Sequence, residues 1–163
     1  MKSFKETQRI KLWWLWAALA GINLLFAYIF VQQIILGHPF GRTPLPNGIV
    51  ITVFLICVGL LSFCLLINFK LRIDEEGIHY KYAPFHRKYT TIIWYNVSDA
   101  YVREYEPLYE YGGWGIKGTH KNRAYNMSGK TGLQLVLRDG NKVILGTLRP
   151  VEVKAIAQYY FRP

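Results

Sequence analysis

Residues 12–36 read LWWLWAALAGINLLFAYIFVQQIIL, and residues 49–67 read IVITVFLICVGLLSFCLLI. The first stretch is 25 residues without a charge and the second is 19. At about 1.5 Å per helical residue the second reaches roughly 28 Å, close to the ~30 Å of a bilayer's hydrocarbon core. The first would reach about 37 Å, so it tilts or runs into an interface. Trp13, Trp14 and Trp16 open it as an interfacial aromatic belt would. A cleaved signal peptide competes for this stretch, because Lys2, Lys5, Arg9 and Lys11 precede it and Ala18-Leu19-Ala20 resembles a cleavage site. Few apolar residues come before that site and a long apolar run follows it, so a retained anchor is expected.

Composition agrees with this division. The chain has 163 residues, a net charge of +10, 52% hydrophobic residues and 18% charged ones. This excludes a disordered tail and a collagen, and two cysteines cannot build a disulfide-stapled mini-protein. Cys57 and Cys64 lie seven residues apart, about 10 Å along a helix, and read as packing residues. Lys and Arg flank the two apolar stretches on their outer sides, while the connecting residues 37–48 carry only Arg42. The positive-inside rule then puts both chain ends in the cytoplasm and the short Pro-rich connection outside. Neither stretch contains Asp, Glu, Lys, Arg or His, which argues against an ion or proton path. Asn23, Gln32 and Gln33 read as helix-pair or interfacial polar groups, and Ala17 with Gly21 as a small-residue contact face.

The division expected is residues 1–69 as a basic flank and transmembrane hairpin (helices over 12–36 and 49–69), and residues 70–163 as a cytoplasmic domain. The latter holds eleven of the twelve tyrosines, 15 Lys and Arg, and 9 Asp and Glu. Tyrosine and β-branched enrichment favours strands. Asp74-Glu75-Glu76-Gly77 punctuates LRI and IHYKY as a hairpin turn, and residues 83–87 separate IHYKY from KYTTIIW. Asp139-Gly140 marks a tight turn between GLQLVL and KVILGT. Leu133, Leu135 and Leu137 face one way, with Gln134 and Arg138 expected on the other face. Pro150 and Glu152 suit a first helical turn, and Val153, Ile156, Ala157 and Tyr160 follow at helical spacing. The pattern predicts an α+β fold: about seven short antiparallel strands in a small sandwich or barrel, capped by a C-terminal helix.

The order of elements, and the local text Trp94-Tyr95-Asn96-Val97, Tyr111-Gly112-Gly113-Trp114-Gly115-Ile116, Arg123-Ala124-Tyr125-Asn126 and Leu145-Gly146-Thr147 before Arg149-Pro150, resemble the membrane-anchored bacterial pleckstrin-homology-like proteins. That family is largely uncharacterised. The resemblance implies a seven-strand barrel-like sandwich with a C-terminal helix, and no catalytic residues. Eukaryotic relatives in fold bind phosphoinositides through a basic first hairpin. Here that turn holds Asp74, Glu75 and Glu76, which argues against a headgroup there.

Enzymatic motifs are thin. Gly113, Gly115 and Gly118 match a dinucleotide fingerprint by spacing, but a polar loop follows and a bend or bulge is expected. Ser128-Gly129-Lys130-Thr131 lacks the upstream glycine of a phosphate-binding loop. His38, His79, His86 and His120 lack metal-ligand spacing. Asp99, Glu104, Glu106 and Glu110 read as a solvated face. No cofactor, metal, catalytic residue or nucleic-acid partner is expected. The basic residues suggest more, with Lys81, Arg87 and Lys88 around one turn and Lys117, Lys121, Arg123 and Lys130 after the Gly-Trp segment. Each Lys or Arg near an anionic leaflet is worth roughly 1 kcal/mol. Trp114, set between glycines, is a core plug or an exposed anchor. The expected function is a non-enzymatic interaction module in the bacterial plasma membrane, acting through an unidentified protein partner or self-association. Anionic-lipid sensing by the basic loops is the alternative.

Overall fold

The computed structural model describes residues 2–161. The chain divides into two compact units, Lys11–Leu66 and the combination of Met1–Ile10 with Ile67–Pro163.

The helical unit contains α1 (Trp13–Phe30), a π-helical turn over Val31–Ile35, and α2 (Asn47–Leu66). Both helices are long and apolar enough to cross a membrane. Large apolar side chains such as Leu24, Leu25, Leu55, Leu60 and Leu65 are exposed around them. A helix apolar on all sides needs an apolar surrounding on all sides. Within the unit, Phe30 stacks on Phe54 with centroids 4.8 Å apart. The Gln33 amide donates to Asn47 Oδ1 at 2.9 Å and to the Leu45 carbonyl, closing the hairpin. The Asn23 amide donates back to the Leu19 carbonyl of its own helix at 2.8 Å. The expected contact face at Ala17 and Gly21 does not form: a Cβ at Gly21 would meet nothing within 4 Å.

The other unit holds two sheets and a capping helix. β1 (Phe4–Arg9), β2 (Asn68–Ile73), β3 (Gly77–Ala83) and β4 (Thr90–Ile93) form an antiparallel sheet in that order. A 3₁₀ turn at Trp94–Asn96 leads to β5 (Val97–Glu104) and the one-turn helix α3 (Pro107–Tyr111). β6 (Gly115–Gly118), β7 (Asn122–Asn126), β8 (Thr131–Leu137) and β9 (Lys142–Gly146) complete a second sheet ordered β5-β8-β9-β7-β6. α4 (Pro150–Tyr160) starts on Pro150 and buries Val153, Ile156 and Ala157, the spacing read from the sequence. These three meet Phe69, Leu71, Ile73, Ile78, Leu133, Leu135 and Leu145 in one core. Trp94 fastens the helix end: its indole N–H donates to the Asp74 carbonyl at 2.8 Å, and its ring stacks on Tyr160.

Three expectations need correction. The described residues hold nine strands rather than about seven, and β7 runs parallel to β9. β7 adds to the edge of β9 left open by the β8–β9 hairpin, and β6 pairs on it in turn, so Gly115–Gly118 is a strand and not a bend. The basic N-terminal flank is the edge strand β1, paired along its whole length from Phe4↔Ile73 to Arg9↔Asn68. The folded unit therefore does not begin at residue 70. Gln134 does not face solvent. It is 2% exposed, its oxygen accepts from Arg103 Nε at 3.1 Å, and it lies opposite Ile144. Ile144 belongs to a small second core with Tyr105, Tyr111 and Ala124, so this part of the second sheet's other face is covered too.

Candidate functional site

The outer face of the first sheet is built by strand alternation. β1 turns Phe4, Glu6 and Gln8 inward and Lys5, Thr7 and Arg9 outward. β2 buries Phe69, Leu71 and Ile73 and turns out Lys70 and Arg72, and β3 buries Ile78, Tyr80 and Tyr82 opposite His79 and Lys81. Register then lines the outward residues up in rows. Lys5 faces Arg72, Arg72 faces His79, and His79 faces Thr91. Thr7 faces Lys70, and Lys70 faces Lys81. Arg9, Asn68 and Ala83 form the last row. Lys5–Arg72 and Lys70–Lys81 are like-charged pairs directly opposite one another, an arrangement that costs stability. Among the described residues no carboxylate lies within ion-pair distance of Lys5, Arg9 or Lys70. A shallow hollow of about 310 Å³ opens on this face between Lys5, Thr7, Lys70, Arg72, His79 and Tyr89.

One end of the face is neutralised. Asp74 Oδ2 lies 2.8 Å from Arg72 Nε, and its Oδ1 lies 2.9 Å from His79 Nε2. His79 Nδ1 in turn is 2.8 Å from Thr91 Oγ1. Burial pulls the Asp74 carboxyl up, but the hydrogen bond and charge of His79, with Arg72 and the Glu76 N–H, outweigh it and hold the group below its usual value. Asp74, Glu76 and His79 bring ligand-type atoms within 4.8 Å of one another. Asp74 is already spent on Arg72 and His79, so a cation would have to displace a guanidinium. The cluster is an ion-paired anchor at the far end of β2.

The residues expected to form the interaction surface fall into separate groups. Lys81 lies on this face and its ammonium donates to the Arg87 carbonyl at 2.9 Å. Arg87 and Lys88 are exposed in the β3–β4 turn. Lys117, Lys121 and Arg123 lie instead on the β6–β7 hairpin at the edge of the second sheet. Arg123 Nη1 is 3.5 Å from Tyr125 Oη, while Lys117 and Lys121 are exposed. Trp114 precedes β6 and is neither a core plug nor free. It is 42% exposed, and its indole N–H donates to the Gly129 carbonyl at 3.0 Å. The carboxylates behave as a solvated face would: Glu110 takes a bidentate hydrogen bond from Arg103 (3.1 and 2.7 Å), and Glu106 pairs with Lys130 at 3.0 Å.

Sequence reasoning missed Lys5, Arg9, Lys70, Arg72 and His79 as one surface. Lys5, Arg9, Lys70 and Arg72 had been read as flank charges of the apolar helices. Period-two alternation across FKETQR was the available signal, but only one of its three inward residues, Phe4, is apolar. No protein-family model and no curated protein matches the chain.

Proposed function

We propose that this chain is a membrane-anchored, non-enzymatic module of pleckstrin-homology-like build, held in a bacterial plasma membrane by Trp13–Ile35 and Asn47–Leu66 with its sheets in the cytoplasm, and that it engages anionic lipid through the outer face of its first sheet. The observation that carries this reading is the register of like charges across strands, Lys5 opposite Arg72 and Lys70 opposite Lys81, the second pair having no carboxylate within ion-pair distance among the described residues. They lie on β1, β2 and β3, and β1 and β2 continue into the apolar helices at Ile10 and Ile67. An anion near these pairs relieves their repulsion, and an anionic leaflet supplies one. Arg9, Lys70 and Lys81 lie in the two rows nearest the helix connections, so they feel the surface potential most.

Native mass spectrometry of the detergent-solubilised full chain, equilibrated with equal phosphatidylglycerol and phosphatidylcholine, tests this. The wild type retains the anionic lipid in excess, and the excess shrinks in high salt. Neutralising Arg9, Lys70 and Lys81 to Gln removes three charges, together worth about 100-fold in affinity, and brings the two lipids toward parity. Equal retention by the wild type refutes lipid engagement. It would then favour a second reading, contact with a protein partner or a second copy. That reading is supported by exposed Leu108 and Tyr109 on α3, the latter 91% exposed, near half-exposed Trp114.

A further inference from the structure

We infer that the β3–β4 turn, residues 84–89, seats the Phe85 ring in the headgroup–acyl boundary of the bilayer that holds α1 and α2. The inference rests on the membrane-anchor reading above and adds a specific lipid contact to it.

Register is the first observation. Asn68, the first residue of β2, faces Ala83, the last of β3, and Arg9 faces Asn68 from the other side. The β3–β4 turn therefore leaves the sheet in the same row where the chain departs for α1 and returns from α2. Adjacent strands are about 5 Å apart, and the two residue steps from Asn68 to Leu66 span at most about 7 Å. Among the turns of the first sheet, the other is the β2–β3 turn after Ile73, at the opposite end. That opposite turn carries Asp74, Glu75 and Glu76.

Composition is the second observation. Phe85 is 59% exposed and Tyr89 is 48% exposed, with Arg87 and Lys88 exposed between them. Aromatic rings with flanking cations suit the boundary, where rings enter the acyl region and charges meet phosphates. The acidic turn at the far end would be repelled by the same surface.

Rigidity is the third. The His86 N–H donates to the Tyr82 carbonyl at 2.8 Å, and the Lys81 ammonium holds the Arg87 carbonyl at 2.9 Å. The Phe85 ring lies 6.0 Å from that of Tyr82. The turn is thus built before it meets lipid, and little ordering entropy is spent on contact.

The test uses the full chain in nanodiscs of phosphatidylcholine with phosphatidylglycerol. Single cysteines carrying an environment-sensitive nitrobenzoxadiazole label are read at three positions. Phe85→Cys and Asp139→Cys are made in a Cys57→Ala/Cys64→Ala background, and native Cys57 is read alone after Cys64→Ala. The label at 85 should emit to the blue of the label at 139, which sits in the β8–β9 turn, and should lose emission to lipids spin-labelled near the headgroup. The label at 57 should lose emission to lipids spin-labelled along the chain. If 57 is quenched while 85 stays as aqueous as 139, the turn does not touch lipid and the inference fails alone. If 57 is unquenched, the anchor reading itself fails. Lys88→Cys, also exposed, reads the same turn should a label at 85 distort it.

Discussion

Glu6 gives the sharpest test of how the N-terminal strand is fastened. Its side chain leaves β1 inward and meets the corner between β9 and α4. Oε1 accepts from Gln8 Nε2 at 3.0 Å and from the Leu148 N–H at 2.9 Å, and Oε2 accepts from Thr147 Oγ1 at 2.6 Å. Gln8 is 1% exposed and also donates to the Gly146 carbonyl at 2.8 Å. Glu6→Ala removes the acceptor of all three donors. A hydrogen bond to a charged group contributes about 1.5–3 kcal/mol, offset in part because the buried carboxylate's desolvation is relieved and water reaches Leu148. The expected net loss is about 3 kcal/mol, or roughly a 150-fold rise in the unfolded fraction. Glu6→Gln behaves differently. An amide oxygen in the Oε1 position keeps Gln8 and Leu148, and its NH₂ donates to Thr147 Oγ1, so the loss is about 1 kcal/mol. Pulse proteolysis of the detergent-solubilised full chain across a urea series measures both, and hydrogen exchange of residues 142–149 localises the effect. A Glu6→Ala variant within about 0.5 kcal/mol of the wild type, below the usual worth of one hydrogen bond, refutes the fastening role. A Glu6→Gln variant as damaged as Glu6→Ala would mean that charge, and not bond geometry, sets the energy.

Two further outcomes follow from the same corner and from the opposite end of the sheet. A soluble fragment of residues 70–163 lacks β1 and the start of β2, and should give the poorly dispersed amide spectrum of a partly folded chain. Residues 2–10 joined by a short Gly-Ser turn to residues 68–161 should give a dispersed one, because Arg9 and Asn68 are already neighbours. The reverse result would show β1 to be dispensable. Asp74, held below its usual carboxylate value, contributes stability that is full above the unfolded-state pKa and is lost as pH falls through the folded one. The urea midpoints of wild type and Asp74→Asn should therefore differ near neutrality and converge on acidification below about pH 4. A gap that stays constant down to pH 2 would remove Asp74 as the titrating group.

Local chemistry was legible where it decided local structure. Gly140, at φ +84°, sits in the β8–β9 turn that Asp139-Gly140 announced. α4 buries Val153, Ile156 and Ala157 as their spacing required. The two apolar stretches became α1 and α2 within two residues at their N-terminal ends, though α1 passes into a π-helical turn at Val31. What was hidden depended on pairing at long range. β1 meets β2 across some sixty intervening residues, and its inward face offers Glu6 and Gln8, polar residues whose partners are on β9 and the turn after it. A hydrophobicity pattern cannot register a strand whose buried side is held by hydrogen bonds. Gln134 was misread for a related reason: α3 and Tyr111 cover a region that alternation alone assigns to solvent.

The β1–β2 pair also constrains the membrane reading in a way that counting charges does not. Paired strands hold Arg9 and Asn68 about 5 Å apart, so Ile10 and Ile67 must be on the same side of any bilayer the chain crosses. If only one of α1 and α2 crossed, its two ends would lie on opposite sides, and β1 could not pair with β2. Both helices cross or neither does. The positive-inside argument reached the two-crossing topology from Lys2, Lys5, Arg9, Lys11, Lys70 and Arg72. Four of those six, however, are outward-facing members of β1 and β2. Their charge is part of a folded surface and would be there whatever the helices did. Strand pairing therefore excludes a single crossing independently of charge, and the charges are free to serve the lipid face proposed for the first sheet.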